Sequence, residues 1–250
     1  MKDKSVPKNI CLSEHHQSKN KNANNTTSEE TLNNKNKLVI AKCNGFLGLN
    51  ICKNINNLDI SVHDQIIIKI NDSIEFAEII ELGSFIDIKI ESLETENENV
   101  PLIERLAKEK DVQRNITNKI DAEGAKAIFK DLVKQLNLTM KLVDVHYQFD
   151  RKKIFFFYTS DGRVDFRELA KKLAAHFRTR IELRQIGVRD EAKMLGGIAT
   201  CGREYCCATF MCSFKKITAE DAYKNNITQN ISKYTGPCGK LKCCLAYDLE

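Results

Sequence analysis

VDVHYQFDRKKIFFFY, residues 143–158, is the stretch that decides the fold of this 250-residue chain. Apolar and polar side chains alternate along its first half, the two-residue period of a strand with one buried face, at Val143, Val145, Tyr147 and Phe149. Asp150-Arg151-Lys152 then predicts a turn, and Ile154–Tyr158 predicts a second strand. The run Phe155–Phe157 indicates a central strand covered on both faces. Base stacking is another use for such a run, but no RNA-binding motif surrounds it, so core packing is favoured.

Helical sequence flanks this hairpin on both sides. From about Leu102, apolar residues recur at the spacing of a helix that faces a core: Ile120, Ala127, Ile128, Leu132, Val133 and Leu136. After the Asp161-Gly162 turn, Asp165 with Glu168 predicts a capping box at the start of a second helix. The predicted buried face of this helix comprises Phe166, Leu169, Ala170, Leu173 and Phe177. Arg180–Ile186 follows as a strand, so the order α-β-β-α-β predicts an α+β domain over residues 102–194, with one helical layer on a mixed sheet.

The chain before residue 102 divides into three segments. Residues 1–36 are rich in Asn and Lys with scattered apolar positions, which predicts a disordered tail. Residues 37–92 contain short β-rich runs separated by Asn, Gly and Asp, and these predict a small barrel-like β domain. The runs are Leu38–Ile40, Ile66–Ile68, Ile74–Leu82 and Phe85–Ile90, with Ile60 and Val62 as a further candidate. Residues 93–101 are interpreted as an acidic linker.

Seven of the ten cysteines lie at or after residue 201, within a Cys-rich module that we assign to residues 195–250. Residues 201–207 read CGREYCC and residues 238–244 read CGKLKCC, so one heptapeptide, C-G-[RK]-x-x-C-C, occurs twice. Its glycine lets the backbone turn back toward the sulfur, as in a thiolate nest around a metal, and its basic residue can lower a thiol pKa. Cys212 lies between the copies, whereas Cys43 and Cys52 are interpreted as small core residues of the β domain.

Three uses of these thiols are weighed. Disulfides are disfavoured because the first 36 residues are polar and contain no secretory signal, and structural disulfides are rare in a reducing cytosol. Reversible thiol oxidation without a metal is a second use for vicinal thiols. Metal ligation is favoured, and because no histidine follows His176 such a site would be all-sulfur. The C-x₄-C-C spacing matches no standard zinc pattern, so the spacing favours an iron–sulfur cluster only slightly over a Cys₄ zinc site.

Several segments together resemble the RicT (YaaT) family of bacterial proteins, which carry a PSP-type C-terminal domain and are sometimes called stage 0 sporulation proteins. The segments are MKLVDV at 140–145, FDR at 149–151, DGRVDFREL at 161–169, RIELRQIGVRDEAK at 180–193, GGI at 196–198 and both cysteine heptapeptides. The resemblance is strong from about Leu138 to Tyr247 and loose before that, and the Asn-rich tail lies outside it.

The resemblance implies a non-enzymatic regulatory scaffold in the cytoplasm. RicT-like proteins are linked to a complex with two small partners, RicA and RicF, which carries [4Fe–4S] clusters and influences messenger RNA maturation by ribonuclease Y. The sulfur ligands that the resemblance implies here are drawn from Cys201, Cys206, Cys207, Cys238, Cys243 and Cys244. Cys212 is not part of the repeated motif, so it has no assigned role.

Other function classes fit the sequence less well. Residues 151–193 contain twelve Lys/Arg against six Asp/Glu, so the rival interpretation is an RNA-binding protein with a structural Cys-only zinc module. An enzyme is disfavoured because no paired carboxylates, Ser-His-Asp arrangement or phosphate loop occurs in a suitable context. His146 and His176 are interpreted as structural or exposed. No apolar run approaches the length of a membrane span.

Overall fold

The computed structural model describes residues 38–44, 47–71, 73–82, 100–209, 217–218, 220 and 234–247. The chain divides into two compact units, and the boundary between them follows Arg184. The predicted tail, the strand at Phe85–Ile90, most of the acidic linker and Cys212 lie outside the described residues. Among the described residues no helix is both long and apolar enough to cross a membrane.

Five strands at the start of the first unit close into a barrel in the order β1-β2-β5-β3-β4, because β1 also pairs with β4. They are β1 Leu38–Cys43, β2 Leu49–Lys53, β3 Gln65–Ile70, β4 Ser73–Leu82 and β5 Leu102–Leu106. The strands predicted at 38–40, 66–68 and 74–82 are confirmed. Ile60 and Val62 lie outside any strand, although Ile60 is buried in the barrel core.

The prediction of helical sequence from Leu102 is wrong, because residues 102–106 form β5. Ile103 on β5 pairs with Ile68 on β3 and is 1% exposed, whereas Leu102 and Leu106 face outward. Five residues with one buried isoleucine carry too little periodicity to separate a strand from the start of a helix. Pairing with strands that lie far away in sequence decides the state of this segment.

The long helix α1, Glu109–Gln135, begins where the Asp111 carboxylate accepts a hydrogen bond from the Lys108 backbone N–H at 2.8 Å. Six residues form its buried stripe: Asn115, Asn118, Ala122, Ala125, Phe129 and Val133. The predicted stripe is therefore partly wrong, since Ile120 is 66% exposed and Ala127 is also exposed. Val133 is confirmed, and Leu132 and Leu136 pack against the same core.

The second sheet contains β6 Lys141–Tyr147, β7 Lys153–Thr159 and β8 Arg180–Gln185, in the order β6-β7-β8. The prediction that the phenylalanine strand is central is confirmed. Phe156 is fully buried and stacks on Phe129 of α1, with ring centroids 5.0 Å apart. The predicted common face of β6 is wrong in part. A register shift after Leu142 displaces Val143, and Phe149 packs on the barrel against Ile67 and Phe76.

The second helix, α2 Arg167–Phe177, buries Leu169 and Leu173 as predicted. Its N-cap is Phe166, which is 36% exposed, so the predicted capping box of Asp165 and Glu168 is wrong. Asp165 instead accepts hydrogen bonds from the backbone and guanidinium N–H groups of Arg167. The predicted order α-β-β-α-β holds for α1, β6, β7, α2 and β8, and the α+β fold class is confirmed.

In the second unit a helix leads into the two cysteine motifs. Helix α3 spans Val188–Leu195, and the Asp190 carboxylate accepts a hydrogen bond from the Gly187 backbone N–H. The two cysteine motifs follow this helix, and a short 3₁₀ helix covers Cys243–Tyr247.

Candidate functional site

The first cysteine motif folds as a tight loop closed by backbone hydrogen bonds. An isolated β-bridge joins Ile198 to Glu204, and the Ala199 N–H donates to Arg203 O at 2.8 Å. Within this loop the Gly202 N–H donates to Ala199 O at 2.9 Å, and Gly202 has φ +80°. A side chain at that φ is strained, so the motif requires glycine directly after its first cysteine.

The second motif repeats this loop at the same sequence offset. A β-bridge joins Thr235 to Leu241, the Gly236 N–H donates to Lys240 O at 2.8 Å, and Gly239 has φ +75°. A further bond also corresponds, since Tyr205 N–H to Gly197 O in the first copy matches Lys242 N–H to Tyr234 O in the second. The two heptapeptides are therefore two copies of one local structure.

The two loops place the six cysteines of the motifs around one cavity of about 150 Å³. Every site cysteine that the sequence predicts lines it: Cys201, Cys206, Cys207, Cys238, Cys243 and Cys244. Cys207 is buried, Cys201 and Cys244 are exposed, and the other three are half-buried. All six are free thiols. The structure thus brings together every described residue that the sequence assigns to the site.

Burial and neighbouring thiols raise the pKa of three of these cysteines. The pKa of Cys207 is raised by burial and by the charges of Cys238 and Cys206. That of Cys243 is raised to about 11 by burial, with further contributions from Cys206 and Cys207. For Cys244, burial raises the pKa first, followed by Cys206, and Cys201 contributes as well. Thiols of one motif therefore lie close enough to thiols of the other to interact electrostatically.

The cation that sequence reasoning missed is Arg189 on α3. It lines the cavity, donates from Nη2 to Leu241 O at 3.3 Å, and acts to lower the pKa of Cys207 and Cys243. Of the basic residues inside the motifs, Arg203 and Lys240 are exposed and do not line the cavity, whereas Lys242 lines it and acts to lower the pKa of Cys244. The sequence feature that could have identified Arg189 is the RDEAK run at 189–193. A helix through this run places Arg189 beside the cysteines that follow.

The donor set suits a metal that prefers sulfur, because six thiols and no histidine line the cavity. Among the described residues no group of three or more His, Cys, Asp or Glu is already arranged to hold a metal ion. Ligation therefore requires the thiols to lose their protons and close around the metal, as expected when folding and metal binding are coupled. Once the thiols have closed around the metal, their sulfur atoms are suitable ligands for an iron–sulfur cluster and for a zinc ion alike.

Cys43 and Cys52 lie in the barrel core, in the other unit from the motifs. They are 4% and 0% exposed, and the Asn50 amide donates to Cys43 Sγ at 3.5 Å. Burial raises the pKa of Cys52 to about 12 and that of Cys43 well above its usual value. Both are protonated core residues, which agrees with their interpretation from sequence.

The phenylalanine run and the basic residues that favoured RNA binding contact other side chains of the first unit. Phe156 and Phe157 are buried, and the Arg184 guanidinium lies 4.9 Å from the centre of the Phe155 ring. Several basic side chains of residues 151–193 form ion pairs, among them Arg151 with Asp121, Lys153 and Arg184 with Glu182, and Arg167 with Asp165. His146 pairs with the buried Glu75 at 3.2 Å, and His176 packs edge-on against Phe177.

Comparison with known proteins relates two parts of the chain to one group. Residues 101–186 match the PSP1 C-terminal conserved region, and residues 216–250 match the third domain of PSP1-like proteins. Stage 0 sporulation protein YaaT of Bacillus subtilis is 49% identical over 144 residues, which are 58% of this chain and 52% of YaaT.

Two yeast proteins share shorter segments. An uncharacterized protein of Schizosaccharomyces pombe is 38% identical over 77 residues, 31% of this chain and 10% of its own length. Protein PSP1 of Saccharomyces cerevisiae is 46% identical over 46 residues, 18% of this chain and 6% of its own length. The matches thus cover about half of YaaT and small parts of the yeast proteins, and no solved structure matches. Residues 101–186 are thus similar to the PSP1 C-terminal conserved region, and 58% of the chain is similar to about half of YaaT.

Proposed function

We propose that this chain is a non-enzymatic regulatory adaptor whose cysteine module ligates an iron–sulfur cluster, of the [4Fe–4S] type. Its relationship to YaaT supports a regulatory protein. The observation that carries the metal proposal is the convergence of six thiols from two equivalent loops on one cavity. Iron–sulfur clusters take thiolate ligands, and such a donor set has no hard ligand to favour another class of metal.

The chain's own residues define what the site does. The two glycine turns orient the sulfurs, Arg189 supplies positive charge beside Cys207 and Cys243, and burial of Cys207 protects its sulfur from solvent. A bound cluster would supply sensitivity to iron supply and oxidation, since its assembly decides whether the thiols are held together. The proposed output is a complex with partners resembling RicA and RicF that modulates RNA processing by ribonuclease Y in the cytoplasm.

The test is the metal content of full-length protein purified without oxygen, alone and with its partners. We expect iron and acid-labile sulfide, and we expect Ser at Cys201, Cys206, Cys238 or Cys243 to lower both, because a hydroxyl is a poor ligand for iron. Cys43→Ser and Cys52→Ser are the controls and should keep the iron, with a stability cost of about 1–3 kcal/mol for a polar group in a core. Stoichiometric zinc without iron would contradict the cluster and favour a structural zinc module.

A further inference from the structure

Strand β6 lies at one edge of the second sheet and leaves part of its backbone unpaired. Among the residues that the structure describes, β6 pairs with β7 and with no other strand. In an antiparallel pair, residues that bond to the partner strand alternate with residues whose N–H and C=O point away from it. The Gln148 N–H donates to Lys153 O at 3.0 Å, so His146 is the next bonded residue of β6. The N–H and C=O of Val145 and Tyr147 therefore point to the free edge of the sheet.

Bonds between α1 and the chain of β6 set the length of this free edge. At one end Phe149 O accepts a hydrogen bond from the Asn118 amide at 3.4 Å, and at the other the Asp144 carboxylate pairs with Lys126 at 3.0 Å. Between these two bonds, the described part of the chain supplies no donor or acceptor to the outward backbone groups. An unpaired edge is a template for another strand, and this one spans about three residues.

A polar cavity of about 250 Å³ lies along the free edge. Val145 and Tyr147 line it from β6, Asn115 lines it from α1, and Asn44 lines it from the end of β1. Asn44 Nδ2 donates to Asn115 Oδ1 at 2.8 Å, which leaves the Asn115 nitrogen without a partner among the described residues. Asn115 is only 8% exposed, and an amide N–H in such a place costs free energy unless it is bonded. The cavity therefore presents unused backbone groups and an unused amide donor to one ligand.

The charged groups around the cavity favour an acidic ligand. Glu123 and Asp144 line it, but both carboxylates are already bonded to Lys126, at 2.6 Å and 3.0 Å. Lys119 also lines the cavity and is exposed, and in the described part of the chain no carboxylate pairs with it. A carboxylate on the ligand would complete an ion pair with Lys119.

We propose that this cavity binds a short acidic segment of a partner polypeptide, which adds to the free edge of β6 in an extended conformation. The backbone of the segment exchanges hydrogen bonds with Val145 and Tyr147, at the two-residue spacing that an extended chain provides. A carboxylate of the segment pairs with Lys119, and a polar side chain accepts from the Asn115 amide. In strand addition the backbone bonds supply the affinity and the side-chain contacts supply the specificity.

Amide hydrogen exchange of the full-length protein, resolved by NMR, tests the proposal residue by residue. In the free protein the amides of Val145 and Tyr147 should exchange faster than that of His146, which bonds to β7. The probes are capped pentapeptides of serine and threonine with a central glutamate or aspartate. They should slow exchange at Val145 and Tyr147 and leave His146 unchanged. If the first two amides are as protected as His146 before any peptide is added, another part of the chain or a second copy already covers the edge, and the proposal is overturned.

Two controls separate strand addition from simple charge attraction. The same peptides with N-methylated backbone amides keep their side chains but cannot donate to the C=O groups of β6, so they should protect neither amide. Lys119→Glu should weaken peptide binding by about two- to fivefold, the range for one exposed ion pair. Lys130→Glu, exposed on α1 and outside the cavity, is the matched control and should leave binding unchanged.

The proposal is overturned if no unmethylated peptide protects both amides at about 1 mM, or if the methylated peptides protect them equally well. Equal effects of Lys119→Glu and Lys130→Glu would overturn the assignment of an acidic segment. The cavity contains no cysteine, so these outcomes are independent of the metal content of the cysteine module.

Discussion

Single residues determine the local geometry of both units. Gly202 and Gly239 have positive φ, and no atom lies within 4 Å of the position a Cβ would take, so backbone conformation alone demands glycine there. Gly197 has a second constraint, because a Cβ would lie 2.9 Å from the Tyr205 ring. In the first unit Arg105 and Asp111 form a two-pronged ion pair at the point where β5 leads into α1. Each of these residues therefore fixes the backbone conformation of its own short segment.

The Arg105–Asp111 pair predicts a loss of stability in acid. The Arg105 guanidinium lowers the pKa of Asp111 to about 2, below its unfolded value of about 3.9, so the folded state is stabilised above pH 4 and loses this contribution as the pH falls toward 2. Asp111→Asn should lower the free energy of unfolding at pH 7 and flatten its dependence on pH between 4 and 2. Urea unfolding followed by circular dichroism measures both. Asp131→Asn, exposed on the same helix, is the control, and an equal change in it would refute the role of the pair.

At the scale of elements, α1 is positioned by a stripe that mixes amides with apolar residues. Asn115 and Asn118 are buried in its first half, where the Asn44 amide donates to Asn115 at 2.8 Å and Asn118 accepts from Arg151 at 2.6 Å. The second half buries Ala125, Phe129 and Val133 in the core of the α+β region. Because hydrophobic periodicity omits the two asparagines, it assigns Ile120 to the wrong face.

The orientation of α1 predicts opposite outcomes for two apolar residues on it. Phe129→Ala removes a fully buried ring stacked on Phe156 and should lower the free energy of unfolding by about 3–5 kcal/mol. Ile120→Ala, at 66% exposure, should change it by no more than about 0.5 kcal/mol. Chemical unfolding of both variants measures the difference. A larger loss for Ile120→Ala than for Phe129→Ala would mean that the helix faces the core with the side predicted from periodicity.

At the scale of the whole molecule, the basic excess of residues 151–193 is partly neutralised by local ion pairs. The net charge of +5 includes an excess in residues 151–193, yet several of those cations have carboxylate partners, among them Arg151, Lys153, Arg167 and Arg184. A cation that already pairs with a carboxylate contributes less to binding a phosphate backbone.

Little direct RNA binding by the isolated protein is therefore expected at physiological salt. Titrating labelled single-stranded RNA at two salt concentrations measures it, since each phosphate neutralised steepens the salt dependence. Tight, salt-sensitive binding that disappears when Arg163, Arg167 and Lys171 are replaced by Glu would contradict this expectation and support the rival function. The control replaces Lys110, Lys130 and Lys134, exposed on α1, in the same way.

The sequence alone determined the elements whose signal is local. The alternation before the 150–152 turn, the phenylalanine run, the apolar face of α2 and the twin heptapeptides each carry their pattern within a few residues, and each was recognisable without coordinates. The candidate site was also predictable as a set of residues, because duplication of C-G-[RK]-x-x-C-C marks all six cavity cysteines.

Features that depend on distant partners could not be read from the sequence and are set by the packing of the folded chain. Residues 102–106 form a strand because they pair with β3. Phe149 does not share the buried face of β6 because its ring packs against Phe76 of the barrel. The same holds in the cysteine module, where Arg189 lies beside the second motif because α3 packs against that loop. Such contacts join residues that local periodicity cannot relate, because burial and pairing energies depend on the folded neighbourhood rather than on sequence spacing.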